Sequence, residues 1–179
     1  MLGLSRTAVE LYPHEKEWDD AFQSEKEFLS NFLKGNFVAI EHVGSTSIDG
    51  LMAKPIIDIA LGVKNNQELK NLFPILQQAG YEVVDEIDLK GQILAKKGSE
   101  ECRTHYIHAC VYGGDRWNTY ILFKKYLLAH PEYIKKYEDL KVDLKQNYER
   151  KQYTAHKNEF ITEILAKAEA EFGKIKPIE

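Results

Sequence analysis

Apolar and polar positions follow two different periods along this chain, and each change of period marks a predicted element. The first periodic segment runs from Pro13 to Leu33, and its apolar side consists of Trp18, Ala21, Phe22, Phe28, Leu29, Phe32 and Leu33. Their spacing fits about 3.6 residues per turn, Pro13 suits a first helical turn, and Gly35 supplies a stop signal. The segment is therefore predicted to be a leading α-helix.

The middle of the chain changes to short runs rich in β-branched residues, which predict strands. Five such runs occur, at positions 37–43, 55–63, 81–87, 91–97 and 103–112. Between the second and third runs a helical pattern is formed by Leu69, Leu72, Phe73 and Leu76. Pro74 lies inside this pattern and predicts either a kink or a late start of that helix.

From Asp115 to Phe172 the pattern is helical again, with breaks at His130–Pro131 and around Arg150. These breaks predict three C-terminal helices, and the buried stripe of the last one consists of Phe160, Ile161, Ile164, Leu165, Ala168 and Phe172. A leading helix, a small mixed sheet and three closing helices make the fold class α+β. The length of 179 residues fits a single domain that spans positions 1–179.

Composition narrows the classes of partner. Hydrophobic residues make up 44% of the chain and charged residues 29%, which is typical of a globular protein, and the formal net charge is -4. This balance argues against strong nucleic-acid binding, because phosphate contacts need a basic surface. No segment approaches the roughly 20 apolar residues that span a bilayer, so no membrane partner is expected. Cys102 and Cys110 lie too far apart on one predicted strand to bridge, which predicts free thiols and a cytoplasmic location.

One predicted strand carries an acid among small residues. Its apolar face should pack against helices and consists of Ile57, Ile59, Leu61 and Val63. Its other face presents one charge beside positions without bulk and consists of Ile56, Asp58, Ala60 and Gly62. This second face predicts a cleft in which a ligand lies against the sheet at Asp58. The alternative is a solvent-exposed Asp on an edge strand, or one that caps a helix.

A Gly-Ser turn precedes that strand. Gly44 lets a ligand approach the backbone closely, and the hydroxyl and amide groups of Ser45, Thr46 and Ser47 form a candidate anion nest. Lys54 adds a cation at the mouth of the cleft, where the following proline holds it in an extended conformation. The turn and the acid together predict a site for a phosphate-bearing ligand.

The segment CRTHYIHAC carries three more candidate phosphate contacts, Arg103, His105 and His108. On a strand Arg103 and His105 share one face, whereas His108 lies on the opposite face with Tyr106 and Cys110. The two histidines therefore cannot both bind one metal ion unless a bulge separates them. We expect one histidine and Arg103 to contact phosphate. The alternative places one histidine in a core hydrogen bond and the other in solvent.

The closing helices supply the last candidates, Lys141, Tyr153 and Lys157. Tyr153 and Lys157 are four residues apart and therefore share a helix face. A lysine and an aromatic ring that face the open side of the sheet would hold a phosphate and stack a base. The alternative is an ordinary amphipathic surface with solvated lysines.

The segment HVGSTSIDGLMAKPIIDI closely resembles the signature of the GrpB family, also called UPF0157. The segments HYIHACVYGGDRWNTYILFKKYLLAHPEYIKKYEDLK and YTAHKNEFI resemble the second and closing blocks of that family. The resemblance covers about Tyr12 to Leu165. It implies a nucleotidyltransferase-like fold, because the family is placed in the nucleotidyltransferase superfamily, and a related domain is fused to some dephospho-CoA kinases.

The resemblance also assigns roles to individual residues. The superfamily's Gly-Ser turn, which holds nucleotide phosphates, corresponds to positions 44–45 here. Asp58 becomes the first acid of an Asp-x-Asp pair that binds Mg²⁺, and Ala60 stands where the second acid is expected. Glu41 or Asp88 would have to supply that second acid, although neither lies at the expected position.

Two functions of different classes follow from these residues. The first is Mg²⁺-dependent transfer of a nucleotidyl or phosphoryl group to an unknown small acceptor, with Asp58 and Ser45 catalytic. In that reaction the developing charge would be offset by Lys54, Arg103 and His105. The second is a catalytically silent module for a nucleotide or CoA-type ligand, which the non-acidic Ala60 favours. A partner-binding scaffold without a ligand is a third option.

Overall fold

The computed structural model describes residues 1–5, 7–8, 10–84, 91–147 and 150–178, and the side chains at 145, 147 and 150–155 lie outside that description. In chain order the elements are α1 (Lys16–Leu33), β1 (Ala39–Val43), a 3₁₀ turn (Ser45–Ser47), β2 (Ile57–Val63), α2 (Asn66–Gln78), β3 (Glu82–Val83), β4 (Gln92–Gly98), β5 (Arg103–Val111), α3 (Asp115–Ala129), α4 (Pro131–Asn147) and α5 (Arg150–Phe172).

The α+β prediction is confirmed, together with the leading helix, the strands and the three C-terminal helices. The predicted alternative of a late start for α2 is wrong. That helix begins at Asn66, where the side chain of Asn65 accepts a hydrogen bond from the Glu68 amide at 2.9 Å. An Asn at this position satisfies a first-turn amide that has no partner within the helix. Pro74 is accommodated inside the helix.

The strands form one mixed sheet in the order β1-β2-β5-β4-β3. β2 and β5 are parallel neighbours, and the other pairs are antiparallel. In the parallel register Asp58 lies beside Tyr106, and Ala60 lies beside His108. Because side chains alternate along a strand, the even-numbered residues of β2 and β5 share one face of the sheet. This register decides which polar residues of β5 accompany Asp58.

Helices α1 and α2 cover the odd-numbered face, here called the core face. The apolar residues predicted for this face of β2, Ile57, Ile59 and Leu61, are completely buried there. They pack in one cluster with Trp18 and Leu29 of α1, which are also completely buried. Burying such side chains stabilises the fold by roughly 1.5–3 kcal/mol each.

Helices α3, α4 and α5 cover the even-numbered face, here called the cavity face. The sequence suggested that the small residues of β2 on this face leave room for a ligand. In the structure they do not. Trp117 of α3 fills that space in a buried cluster with Ala60 and Cys110. A Cβ added at Gly62 would lie 2.8 Å from Cζ3 of Trp117. The cleft is therefore confined to the end of β2 that carries Asp58.

Two predictions from composition bear on the rest of the molecule. Cys102 is exposed and Cys110 is buried, and both are free thiols as predicted. Of the helices in the described ranges, none combines the length and the apolar character that crossing a membrane requires.

Candidate functional site

A cavity of about 410 Å³ lies between the cavity face of the sheet and helices α3, α4 and α5. It gathers most of the residues singled out from the sequence: its lining includes Gly44, Ser45, Thr46, Lys54, Asp58, His108, Lys141 and Lys157. These residues come from the Gly-Ser turn, the loop before β2, two strands and two helices, which are far apart in the chain. The fold therefore assembles a single polar site from them.

The Gly-Ser turn and Asp58 face each other across one end of the cavity. Gly44 has φ of 70°, a left-handed conformation that favours glycine. A Cβ added there would also lie 2.6 Å from Oδ2 of Asp58. Glycine is thus required both by the backbone and by the approach of the carboxylate. The hydroxyl of Ser47 donates to the Gly44 carbonyl at 2.8 Å and closes the turn.

His42, which the sequence analysis did not single out, anchors this turn. Its Nε2 lies 3.0 Å from the hydroxyl oxygen of Thr46, and its ring stacks on Phe22 with centroids 4.7 Å apart. Burial lowers the pKa of His42 to about 4, and the charge of Lys124 acts in the same direction. A neutral imidazole is therefore built in beneath the turn. In the sequence, this role is indicated only by the position of His42 directly before the turn, in the segment HVGSTS.

Asp58 is held by His108. Nε2 of His108 lies 2.9 Å from Oδ1 of Asp58, and Nδ1 lies 3.2 Å from the hydroxyl oxygen of Tyr120. With the amide oxygen of Gln92 facing Tyr120, that hydroxyl donates its hydrogen to Gln92 at 2.6 Å. Both ring nitrogens of His108 therefore have hydrogen-bond partners, the Asp58 carboxylate and the Tyr120 hydroxyl. One oxygen of Asp58 is thereby occupied, and His108 has no ring nitrogen left for a metal ion.

Lys141 is the most unusual charged residue of the site. It is only 2% exposed, its Nζ donates to the Met52 carbonyl and lies 3.5 Å from Oγ of Ser45. The ammonium group also stands over the Tyr137 ring, 4.9 Å from the centroid. Burial lowers its pKa to about 7, and the neighbouring charge of Lys157 adds to the effect. A lysine so perturbed inside a cavity is typical of functional sites.

Cations outnumber acids in this cavity. Three lysines line it, whereas Asp58 is the one carboxylate among the described lining residues. Apolar and aromatic walls complete it, and the sequence analysis missed those residues: Tyr120, Phe123, Tyr137 and Ile161. Their only sequence signal was helical spacing, because Tyr120 and Phe123 are three apart and Tyr137 and Lys141 are four apart. The charge balance favours an anionic ligand.

Two predicted residues lie on the wrong side of the sheet. Arg103 and His105 are odd-numbered on β5 and face the core side, where they are 1% and 6% exposed. Arg103 donates from Nη2 to Glu82 and Glu100 at 3.1 and 3.2 Å. The expectation that this pair contacts phosphate beside Asp58 is corrected by this placement. His108 is the histidine of this strand that reaches the site.

The remaining predicted residues divide into two groups. Glu41 is exposed, pairs in register with Ala60, and is not part of the cavity lining, so it is no second acid beside Asp58. Asp88 and the side chain of Tyr153 lie outside the described residues.

The described side chains around Asp58 do not form a Mg²⁺ site by themselves. Over the described part of the chain, no group of three or more His, Cys, Asp or Glu residues is placed to hold a metal ion. Mg²⁺ requires near-octahedral oxygen ligands, and Asp58 supplies a single carboxylate that already pairs with His108. Lys141 and Lys157 line the same cavity and would repel a divalent cation.

Comparison with known proteins places the whole site in one family. Residues 8–167 match the family model described as GrpB protein. The chain belongs to the GrpB family. It is 36% identical over 171 residues to the glutamate-rich protein GrpB of Alkalihalophilus pseudofirmus, covering 92% of this chain and 98% of that protein. It is 33% identical to the UPF0157 protein YqkA of Bacillus subtilis, covering 89% of this chain and 49% of that protein.

The fold is also similar to a solved structure. The crystal structure of conserved protein GrpB from Enterococcus faecalis superposes with a TM-score of 0.79 at 30% identity, covering 91% of this chain and 99% of that one. The GrpB match contains every cavity-lining residue from Leu11 to Ile161. The cavity is therefore built from the family's own domain.

Proposed function

We propose that the protein binds a small phosphate-bearing ligand of the nucleotide class in the cavity. The observation that carries this proposal is the convergence of Lys54, Lys141 and Lys157 on a space whose one described carboxylate already pairs with His108. Concentrated positive charge with low-dielectric walls attracts an anion. Lys141 is almost completely buried, so an anionic ligand beside it would offset part of the cost of burying its charge.

The lining of the cavity suits both the phosphate and the base of a nucleotide. Ser45 offers a hydroxyl beside the Lys141 ammonium, which places a donor and a cation together for a phosphate group. The rings of Tyr120 and Phe123 line the cavity and provide apolar surface for a base. A volume of about 410 Å³ is within the range of small-ligand sites, which is roughly 300–1,000 Å³.

Calorimetric titration with ATP, ADP, AMP and CoA tests the proposal. We expect at least one of them to bind, and Lys157→Met to weaken it by about tenfold or more, because a charge-assisted contact to phosphate is lost. Lys135→Met is the matched control, since Lys135 lies on α4 with its side chain 70% exposed and pairs with Asp139 outside the cavity. Equal weakening by both variants, or no binding at all, would contradict the proposal.

Group transfer is a second candidate, and the position of Asp58 opposite the Gly44 turn favours it. Nucleotidyl or phosphoryl transfer, as the resemblance to nucleotidyltransferases implies, uses an acid opposite the phosphate turn, and Asp58 faces Gly44 in this way. Mg²⁺ would then bind only together with ligand phosphates and would offset their charge. What this chain itself does is hold the acid: His108 fixes one oxygen of Asp58 and leaves the other directed at the turn.

Asp58→Asn separates the two candidates. In a binding module the substitution removes the one described lining carboxylate, so anion affinity rises, and Mg²⁺ has little effect. In a transferase, the release of pyrophosphate or of a labelled adduct depends on Mg²⁺ and disappears in the variant. Incubation with each nucleoside triphosphate and a metabolite pool measures the product. Equal product from wild type and variant would exclude the role of Asp58 in transfer.

A further inference from the structure

We propose that the cavity carries a second activity, in which Ser45 and Lys141 act as nucleophile and general base in the hydrolysis of a small uncharged carboxylic ester. This activity goes beyond the proposed function, because it needs no phosphate group on the substrate. Its basis is a contact between two side chains that are 96 positions apart in the chain and that the fold brings together in one cavity.

The two side chains have the geometry of a nucleophile and its base. Nζ of Lys141 lies 3.5 Å from Oγ of Ser45, and both residues line the cavity. A serine is activated by a neighbouring base that takes its proton, and this contact is often looser in ligand-free proteins than in complexes. A third group must orient the base, and the Met52 carbonyl does so by accepting a hydrogen bond from Nζ. Serine–lysine pairs of this kind occur on unrelated folds.

Ser45 is held in place by the turn that contains it. Its carbonyl accepts a hydrogen bond from the Ile48 amide at 3.3 Å. The hydroxyl oxygen of Thr46, the next residue, lies 3.0 Å from Nε2 of His42. The Thr46 hydroxyl is used in that contact, so Ser45 supplies the hydroxyl that meets Lys141. A nucleophile on a fixed backbone needs little further ordering before it reacts.

The surroundings of Lys141 make its amine available as a base. The residue is 2% exposed, and Nζ lies 4.9 Å from the centroid of the Tyr137 ring. Burial lowers its pKa to about 7, the charge of Lys157 acts in the same direction, and the charge of Glu138 opposes both. At pH 8 the amine is therefore neutral in most molecules. The other titratable side chains that line the cavity with it are Lys54, Asp58, Tyr106, His108, Tyr120 and Lys157.

The rest of the lining suits an uncharged ester. Apolar side chains form much of the wall, among them Val43, Ile56, Phe123 and Ile161. They provide a surface for an apolar acyl group. An anion in the same space favours the ammonium form of Lys141, whereas an uncharged ester meets the neutral amine. The two ligand classes therefore use different protonation states of one lysine.

The reaction balances in two steps. In the first, Oγ of Ser45 forms a bond to the ester carbonyl carbon, and the bond from that carbon to the alcohol oxygen breaks. The serine proton passes to Nζ of Lys141 and from there to the departing alcohol. In the second, water attacks the acyl-serine, Lys141 takes a proton from the water and returns it to Oγ, and the carboxylic acid leaves. One water is consumed, and no other co-reactant is needed.

An alkyl fluorophosphonate tests the nucleophile directly, because it is uncharged and forms a phosphorus–oxygen bond to an activated serine as fluoride leaves. At pH 8 we expect peptide mass spectrometry to find the adduct on Ser45. Ser45→Ala should remove this labelling, and Lys141→Arg should slow it about tenfold or more, because arginine stays protonated and does not act as a base. Ser24→Ala is the matched control and should be labelled like wild type, since the Ser24 hydroxyl donates to the Asp20 carbonyl on α1.

Hydrolysis of p-nitrophenyl butyrate measures turnover. We expect Ser45→Ala and Lys141→Met each to lower kcat/KM by about hundredfold or more, whereas Ser24→Ala should match wild type. The wild-type rate in excess of that of Ser45→Ala should rise as the pH passes about 7, because the neutral amine of Lys141 is the active form. Circular dichroism establishes that each variant is folded. If the lysine variants do not fold, the position of the adduct and the Ser45→Ala rate still decide.

Three results would each overturn the inference. They are a wild type that the fluorophosphonate does not label, an adduct on Lys141 rather than on Ser45, and equal hydrolysis by wild type and Ser45→Ala. Nucleotide binding requires none of these reactions, so each of the three leaves the proposed function standing.

Discussion

Buried charged groups are arranged differently on the two faces of the sheet. On the core face Glu25 accepts from the Tyr81 hydroxyl and from Lys97, whose Nζ lies 2.7 and 2.8 Å from its two oxygens. His105 stands 3.9 Å from the same carboxylate. Burial, with Glu25 beside it, raises the pKa of Tyr81. One carboxylate therefore accepts hydrogen bonds from both Tyr81 and Lys97 in a closed cluster, which is how a fold accommodates charge that has a structural role.

On the cavity face the same strand, β5, contributes His108 to an open arrangement. His108 holds Asp58, and Lys54, Lys141 and Lys157 line the same space, in which Asp58 is the one described carboxylate. A closed cluster stabilises the native state on its own, whereas an open site is stabilised further by what binds to it. His105 and His108, three positions apart in β5, thus belong to a structural cluster and to the candidate site, respectively.

The largest predicted effect comes from restoring the second acid of the Asp-x-Asp pair. Ala60 is completely buried against Trp117, so Ala60→Asp places a carboxylate in an apolar contact. We expect a loss of about 4 kcal/mol or more in the free energy of unfolding. Urea denaturation measures it. Added Mg²⁺ should restore nothing, because the new carboxylate lies under the tryptophan rather than in the cavity.

The isosteric variant Ala60→Asn separates size from charge. If crowding alone is responsible, both variants lose the same stability at every pH. If charge dominates, the Asp variant recovers relative to the Asn variant as the pH falls and its carboxyl is protonated. An Asp variant as stable as wild type would mean that position 60 opens to the cavity after all.

The next effect concerns His42, which lies on the core face but supports the cavity turn through Thr46. Its pKa is lowered to about 4 from 6.5 by burial, so the unfolded chain takes up a proton at higher pH than the folded chain. Stability is therefore complete above pH 6.5 and is lost as the pH falls towards 4, by about 3 kcal/mol from this residue. His105, whose pKa burial also lowers, acts in the same direction.

His42→Gln keeps a hydrogen-bonding partner for Thr46 and removes the titration. Urea denaturation at pH 7.5, 6 and 4.5 should give a flatter profile for the variant than for wild type. Parallel profiles would show that the pKa of His42 is the same in the folded and the unfolded chain.

A smaller loss is expected on the core face from Glu25→Ala. The variant leaves the hydroxyl of Tyr81 and the ammonium group of Lys97 without their carboxylate. Because the Lys97 side chain is 36% exposed and remains partly hydrated, we expect a loss of about 2 kcal/mol rather than the full cost of a deeply buried pair. Binding of a phosphate-bearing ligand at the opposite face should be unchanged. A large change in binding would contradict the separation of the two faces.

Much of the fold could be predicted from sequence because its signals are local. Helical spacing, strand alternation and the breaks at His130–Pro131 and Arg150 each depend on neighbours in the chain. Strand alternation also put His105 and His108 on opposite faces, as observed. Alternation does not predict which of the two histidines faces the same side as Asp58, because that depends on the register between β5 and β2. The pairing of Asp58 with Tyr106 settles it and excludes Arg103 and His105 from the site.

The other errors have the same origin in long-range packing. Ala60 and Gly62 indicate free space along β2, but only the fold reveals that Trp117, more than fifty positions later, occupies it. Conversely, Lys141 looks like any surface lysine of an amphipathic helix. Its burial beside Ser45 and Lys157 and its lowered pKa result from long-range packing, which no local sequence pattern predicts.

The smallest effect on stability, and the most direct test of the contrast between the faces, is expected from Asp58→Asn. The side chain of Asp58 is 31% exposed, and an asparagine oxygen can still accept the hydrogen bond from His108. Because solvent partly screens the lost charge, we expect the free energy of unfolding to change by no more than about 1 kcal/mol. The loss expected for Glu25→Ala is about 2 kcal/mol. Parallel urea denaturation of the two variants at pH 7.5 measures the difference, and AMP titration records the second readout. Asp58→Asn should leave stability nearly unchanged and alter ligand behaviour, while Glu25→Ala should do the reverse. If Asp58→Asn costs as much stability as Glu25→Ala and leaves the response to every phosphate-bearing ligand untouched, the carboxylate in the cavity is structural and the two faces do not differ in kind.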